Sequence, residues 1–191
     1  MKKLWVIFIA FFLTGCANYH YSKTNVGTLT GNVRVQWLEP DKFLFIPDSN
    51  KPLSFKRHNG DVITPGIMYT DGGSIPRPLW GVRNYSPWGY APAFIVHDWL
   101  FVMKHCNNEA LGDYDVDDAG MVMSEIIKTL MEKEENIEIN KFVLYSMHKA
   151  VTSEIAEELW ENGECNEATV RTFIYKGVPK IKPMMEYTLE Y

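Results

Sequence analysis

Long apolar runs are nearly absent from this 191-residue chain, and the clearest is Leu4–Leu13. At about ten residues it is half the roughly 20 that a helix needs to cross a bilayer, which argues against a spanning anchor. Positive charge is also scarce: 19 Lys and Arg stand against 24 Asp and Glu, a net charge of −5. Nucleic acid is therefore a poor partner, since neutralising phosphates takes clustered cations. Anionic lipid is a poor ligand for the protein surface for the same reason. The three cysteines, Cys16, Cys106 and Cys165, have neither zinc-motif nor redox-motif spacing. There is no internal repeat and no low-complexity tract. A nucleophile elbow is absent, because Ile75-Pro76 follows Ser74 where that turn needs a glycine two residues on. The acids Asp113, Asp115, Asp117 and Asp118 imitate a calcium loop, but its sixth position is Asp118 instead of Gly and its twelfth is Ser124 instead of Glu.

What is present begins at the N-terminus. Lys2 and Lys3 precede the apolar run, and Leu13-Thr14-Gly15 lead into Cys16. This is the pattern of a signal peptide with a lipobox, in which the Cys16 thiol is acylated (palmitate and related chains) and residues 1–15 are removed. Lys2 and Lys3 leave with the signal, so the −5 of the whole chain becomes −7 in the 176 residues that remain. Ala17 after the cysteine, instead of Asp, favours the outer membrane with the body in the periplasm. Cys106 and Cys165 would then face an oxidising compartment, and two readings stay open: one disulfide, or two unrelated buried thiols.

Residues 16–32 are polar without period and read as a lipidated tether. Residues 33–176 read as one globular α+β domain, and 177–191 as a C-terminal tail. Val33, Val35 and Trp37 alternate with polar neighbours, as a half-buried strand does. Short apolar runs follow at Phe43–Ile46, Leu53–Phe55, Val62–Ile63 and Ile67–Tyr69, separated by turn residues such as Pro65-Gly66. Connections this short fit only antiparallel pairing. The second half predicts a three-helix unit. Ala93–Cys106 is apolar on nearly every face and should be a buried central helix. Val116 to Leu130 and Ile139 to Leu159 carry helical stripes, and a last strand is expected at Thr172–Tyr175.

The chemistry concentrates in three places. His97-Asp98 interrupts the apolar helix, and a carboxylate there must be paired, hydrogen-bonded or bound to a cation. Either it is a satisfied polar pair fastening the helix to the Gly72-Gly73 turn, or it supplies a general acid/base or a metal ligand. Asp71 and Ser74 sit on a glycine turn that could present both. Asp118, near the start of the next helix, could complete a His97, Asp98, Asp118 set for a divalent metal. The intervening loop carries Trp80, Tyr85, Trp88 and Tyr90, residue types that anchor binding surfaces.

Asp71-Gly72-Gly73-Ser74-Ile75-Pro76-Arg77, Trp80, Ala93-Phe94-Ile95-Val96-His97-Asp98-Trp99-Leu100 and Asp118 together resemble the family catalogued as domain of unknown function 1353. The resemblance spans roughly residues 35–160. It places the family's characteristic positions on Asp71, Ser74, Pro76, His97, Asp98 and Asp118, and implies a link to phages and prophages. Two functions are expected. One is an envelope lipoprotein that binds an envelope protein or phage component through the aromatic loop and interferes with infection. The other is a metal-dependent or acid/base hydrolase acting on envelope material such as peptidoglycan.

Overall fold

The structure is a computed structural model and describes residues 15–39, 42–70, 72, 85, 88–106, 108–165 and 185–191. A helix over residues 15–23 (α1) comes first, then strands β1 (Thr28–Thr30), β2 (Asn32–Glu39), β3 (Lys42–Phe45), β4 (Ser54–Lys56), β5 (Val62–Ile63) and β6 (Met68–Thr70). Helices α2 (Ala91–Cys106), α3 (Asn108–Leu111), α4 (Val116–Lys133), α5 (Lys141–Val151) and α6 (Glu154–Asn162) follow, and β7 (Met185–Glu190) closes the chain. The fold is α+β. Among the described residues the strands pair antiparallel, in a three-stranded sheet β1-β4-β5 and a four-stranded sheet β6-β3-β2-β7.

The period of two along the strands sorts side chains between two cores. Val33, Val35, Phe45 and Met68 enter the main core with Ile95 and Val96 of α2 and Ile126 and Ile127 of α4. Leu38, Leu44 and Ile46 form a small second cluster on the other face. Thr70 shares its strand face with Met68, so it too is buried. Between β1 and β2, Gly31 takes a φ of +95°, and a Cβ there would lie 2.1 Å from the Pro52 carbonyl oxygen. Only glycine fits that corner.

The helices start where short polar side chains can cap them. Asp115 and Asp118 form a capping box at the head of α4, Asn140 caps α5 and Ser153 caps α6. Pro92 occupies the first turn of α2, where its missing N–H costs nothing. The N-terminal half of α2 is buried continuously from Ala91 to His97, while its C-terminal half is half-buried except for Leu100. A bidentate ion pair ties the strands to the helices. Arg57 Nε and Nη2 donate to Glu125 Oε2 and Oε1 at 2.8 and 3.1 Å, with only 11% and 5% of the two side chains exposed. Burial works against the Arg57 charge, but the bonds it donates to Glu125 and Tyr114 outweigh it and hold the guanidinium protonated more firmly than usual. A disulfide joins Cys106 at the end of α2 to Cys165 beyond α6.

Three expectations need correction. The stretch expected to be a tether is folded: α1 lies in it and buries Ala17 and Tyr21, with Thr24 just beyond it. The expected tail contributes β7, which pairs with β2 from Asn32–Glu190 to Trp37–Met185. The single third helix is two helices, because the chain breaks at Thr152-Ser153 and Ser153 caps a new start; Ile155 and Leu159 consequently turn outward, 72% and 58% exposed. The strand expected at Thr172–Tyr175 lies outside the described residues, as does most of the expected signal peptide.

Candidate functional site

The site is built where β6 meets α2. Asp98 Oδ2 accepts a hydrogen bond from the Thr70 hydroxyl at 2.7 Å, and the same hydroxyl oxygen accepts from the Gly72 N–H at 2.9 Å. Gly72 adopts a φ of +82°, a conformation that side chains disfavour. A relay of three groups thus fastens the beginning of the glycine turn to the helix. The expected bond from the turn to Asp98 is made through Thr70, a residue that sequence reasoning passed over. Its only signal was a hydroxyl at the end of a strand, next to the aspartate of the turn.

His97 lies on the neighbouring face of α2 and is 9% exposed. Its Nδ1 is 3.6 Å from Asp98 Oδ1, longer than a hydrogen bond. The ring packs on Phe101 with centroids 5.0 Å apart, and Phe101 in turn meets Trp160 of α6 edge-on. Nε2 is buried and has no hydrogen-bond partner among the described residues. Buried polar atoms are nearly always satisfied, so an orphan of this kind marks either strain or a place for a ligand atom. With Nδ1 turned to a carboxylate, Nε2 is the atom available to accept or deliver a proton.

The remaining expected site residues divide. Asp71, Ser74 and Trp80 lie outside the described residues. Asp118 is engaged elsewhere: its N–H donates to Asp115 Oδ1 at 2.8 Å and its Oδ2 accepts from the Asp115 N–H at 3.4 Å. Among the described residues no three His, Cys, Asp or Glu side chains converge to hold a metal ion. The expected set of His97, Asp98 and Asp118 is therefore not assembled, because Asp118 serves the helix cap.

The aromatic loop also differs from expectation. Tyr90, expected at a contact surface, is a core residue at 2% exposure; burial, then Tyr85, pushes its hydroxyl up to about 12. Its oxygen is the other buried polar atom without a partner among the described residues. Trp88 is half-buried and meets Phe43 of β3 edge-on at 4.8 Å. Tyr85 bonds through its hydroxyl to Ser146 of α5. These three rings hold the end of the loop onto the body. An open groove of about 510 Å³ lies between β5 and α2, lined by Asp61, Ile63, Trp99, Met103, Leu111 and Tyr114. Trp99 and Tyr114 were not singled out from the sequence, where each reads as an ordinary helix or turn aromatic.

At the N-terminus Cys16 is an exposed free cysteine in α1. Burial, then the neighbouring Cys16 sulfur, raises the Tyr145 hydroxyl above its usual range. Cys16 thus lies beside Tyr145 of α5. No helix among the described residues is long and apolar enough to cross a membrane.

These features describe an α+β domain in which a strand-end threonine and Gly72 are tied to Asp98, a half-buried carboxylate next to the buried His97 on a central helix. The chain belongs to the family described as Protein of unknown function (DUF1353), whose model matches residues 50–151, from the approach to β4 through α5. The match includes Thr70, Gly72, His97 and Asp98 but leaves out α1, β1 to β3, α6 and β7. No curated protein and no solved structure matches the chain.

Proposed function

We propose that the protein is an envelope lipoprotein, acylated at Cys16 and held at the periplasmic face of the outer membrane, whose domain binds an envelope or phage component and interferes with infection. The observation that carries the anchoring is Cys16 itself, exposed at the start of a helix docked on the folded domain, where acyl chains can reach a bilayer while the body stays ordered. The Cys106–Cys165 disulfide supports it, since such bonds persist in oxidising compartments. The metal-dependent form of hydrolysis is set aside because Asp118 caps a helix instead of joining His97 and Asp98. The groove beside Trp99 and Tyr114, together with the turn clamped at Asp98, is the surface assigned to the partner.

The test expresses the full chain in a bacterial host and measures phage adsorption and plating. Native protein should fractionate with the outer membrane and lower plating of at least one phage. Cys16→Ser should release the protein from membranes and restore plating. Membrane retention of Cys16→Ser would contradict the anchor, and unchanged plating across a broad phage panel would contradict interference.

His97 Nε2, which has no partner among the described residues, favours a second reading, an acid/base hydrolase of peptidoglycan in which His97 transfers the proton and Asp98 orients it. Release of soluble muropeptides from purified sacculi, lost in His97→Phe, would establish that reading. No release by the native protein would discard it.

A further inference from the structure

We infer that α1 is a proton-operated clasp: His20 on α1 and His148 on α5 hold the helix to the body while both imidazoles are neutral, and let it go when they take up protons. The two rings stack with centroids 4.2 Å apart and planes inclined by 28°. Between them lies the Ser124 hydroxyl of α4, 3.4 Å from His20 Nε2 and 3.3 Å from His148 Nδ1. Ser124 is fully buried and spends its one proton on the Gly120 carbonyl at 3.0 Å. Its oxygen can then accept from both facing ring nitrogens, so that one hydroxyl bridges the two imidazoles. A second proton would have to enter on the far nitrogen of each ring and would place two cations face to face.

Every element packed around the pair contributes charge. From α5, Lys149 opposes protonation of both rings, and the Tyr145 ring lies 5.9 Å from His20. From α4, a hydrogen bond with the Gly120 backbone and then Asp117 favour a charged His148, against the larger effect of burial. The rest of α1 is tied down by Lys128 Nζ, which donates to the Tyr21 and Thr24 carbonyls, by Tyr21 donating to Glu132, and by Lys141 donating to Asn18. These bonds keep the helix seated, and the imidazole pair supplies the part that titrates in the mildly acidic range.

The sign follows from the docked state. Burial, then His148, then Lys149 lower His20 to about 4, and burial lowers His148 as well. An undocked imidazole titrates near the ordinary 6.5, so docking is at full strength above that value. It weakens as pH falls toward about 4 and loses nothing further below. His20 alone then weakens docking by up to about 20-fold between roughly pH 7 and pH 5. If Cys16 carries lipid as proposed above, freeing residues 17–27 would let the body move up to roughly 35 Å from its anchor. That consequence rests on the lipoprotein reading, whereas the clasp does not.

The test is amide hydrogen exchange on the full chain in detergent micelles near neutral and near pH 5, with intrinsic rates removed and α4 amides as internal reference. Protection over 17–24 should fall by up to about 20-fold relative to α4. His20→Phe, which keeps a stacked ring without the proton, should remove most of that fall, and a His20→Phe/His148→Gln pair should flatten it. Parallel loss in α1 and α4, or an undiminished fall in His20→Phe, would overturn the clasp. Should His20→Phe loosen α1 already at neutral pH, ring titration of the native chain by NMR decides. A His20 midpoint well under the ordinary value supports the clasp, and an ordinary midpoint overturns it. The measurement does not depend on acylation, so its failure leaves the anchor untouched.

Discussion

His97 and His148 are both sheltered imidazoles on helices that pack against α4, yet their surroundings differ in kind. His97 has a carboxylate beside Nδ1 and a buried Nε2 that meets no partner among the described residues. His148 has a serine oxygen at Nδ1, a stacked imidazole on its face and a lysine nearby. The first environment leaves an atom in reserve, which is what a ligand or a proton transfer requires. The second uses its contacts to hold two parts of the chain together. The lesson is that residue type and shelter do not separate a reactive histidine from a structural one; the inventory of partners does.

Substitutions around each histidine can break or sharpen this contrast, and a purely structural group sets the scale. Arg57→Met leaves the Glu125 carboxylate buried without its partner, so urea unfolding of the full chain should show a loss of about 3–5 kcal/mol. A loss under about 1 kcal/mol would mean that water reaches the pair. Next comes the disulfide: Cys106→Ser with Cys165→Ser should cost about 2–4 kcal/mol by removing a cross-link across 59 residues, read from the same unfolding curves. Thr70→Val keeps the shape but strips the Gly72 N–H of its acceptor and Asp98 of its donor. It should cost about 1–3 kcal/mol and reduce the effect on phage plating, because the glycine turn loses its fastening. Unchanged stability and plating would show that the relay holds nothing.

Much of the frame was legible because local pattern and tertiary demand agreed. Val33 and Val35 alternate and are fully buried, the run around Ile95 and Val96 is a core helix, and Asp115 with Asp118 mark a helix start. The His97-Asp98 step was legible too, since polar residues inside an apolar helix have to be accounted for. What escaped depended on distant partners. Ala17, Tyr21 and Thr24 do recur at helical spacing, but one small, one aromatic and one polar residue make a weak stripe, and Tyr21 is seated by Glu132 and Lys128 far along the chain. The pairing of β7 with β2 joins the two ends of the fold, which no local window can contain. Thr70 was missed because a strand-end threonine has no chemistry until Asp98 lies 2.7 Å away. Tyr90 was misplaced because a tyrosine is as much a core ring as a surface anchor, and only the packing at the head of α2 decides.

The most direct test of the account is the stability and function of His97→Phe in the full chain. Nε2 makes no hydrogen bond among the described residues, and an apolar ring of similar size should sit well beside Phe101, so the unfolding free energy should stay within about 1 kcal/mol of native or rise. Muropeptide release should be lost at the same time if His97 transfers the proton. A variant that unfolds, or one that keeps full function at native stability, would show that His97 is an ordinary core residue and that the site lies elsewhere.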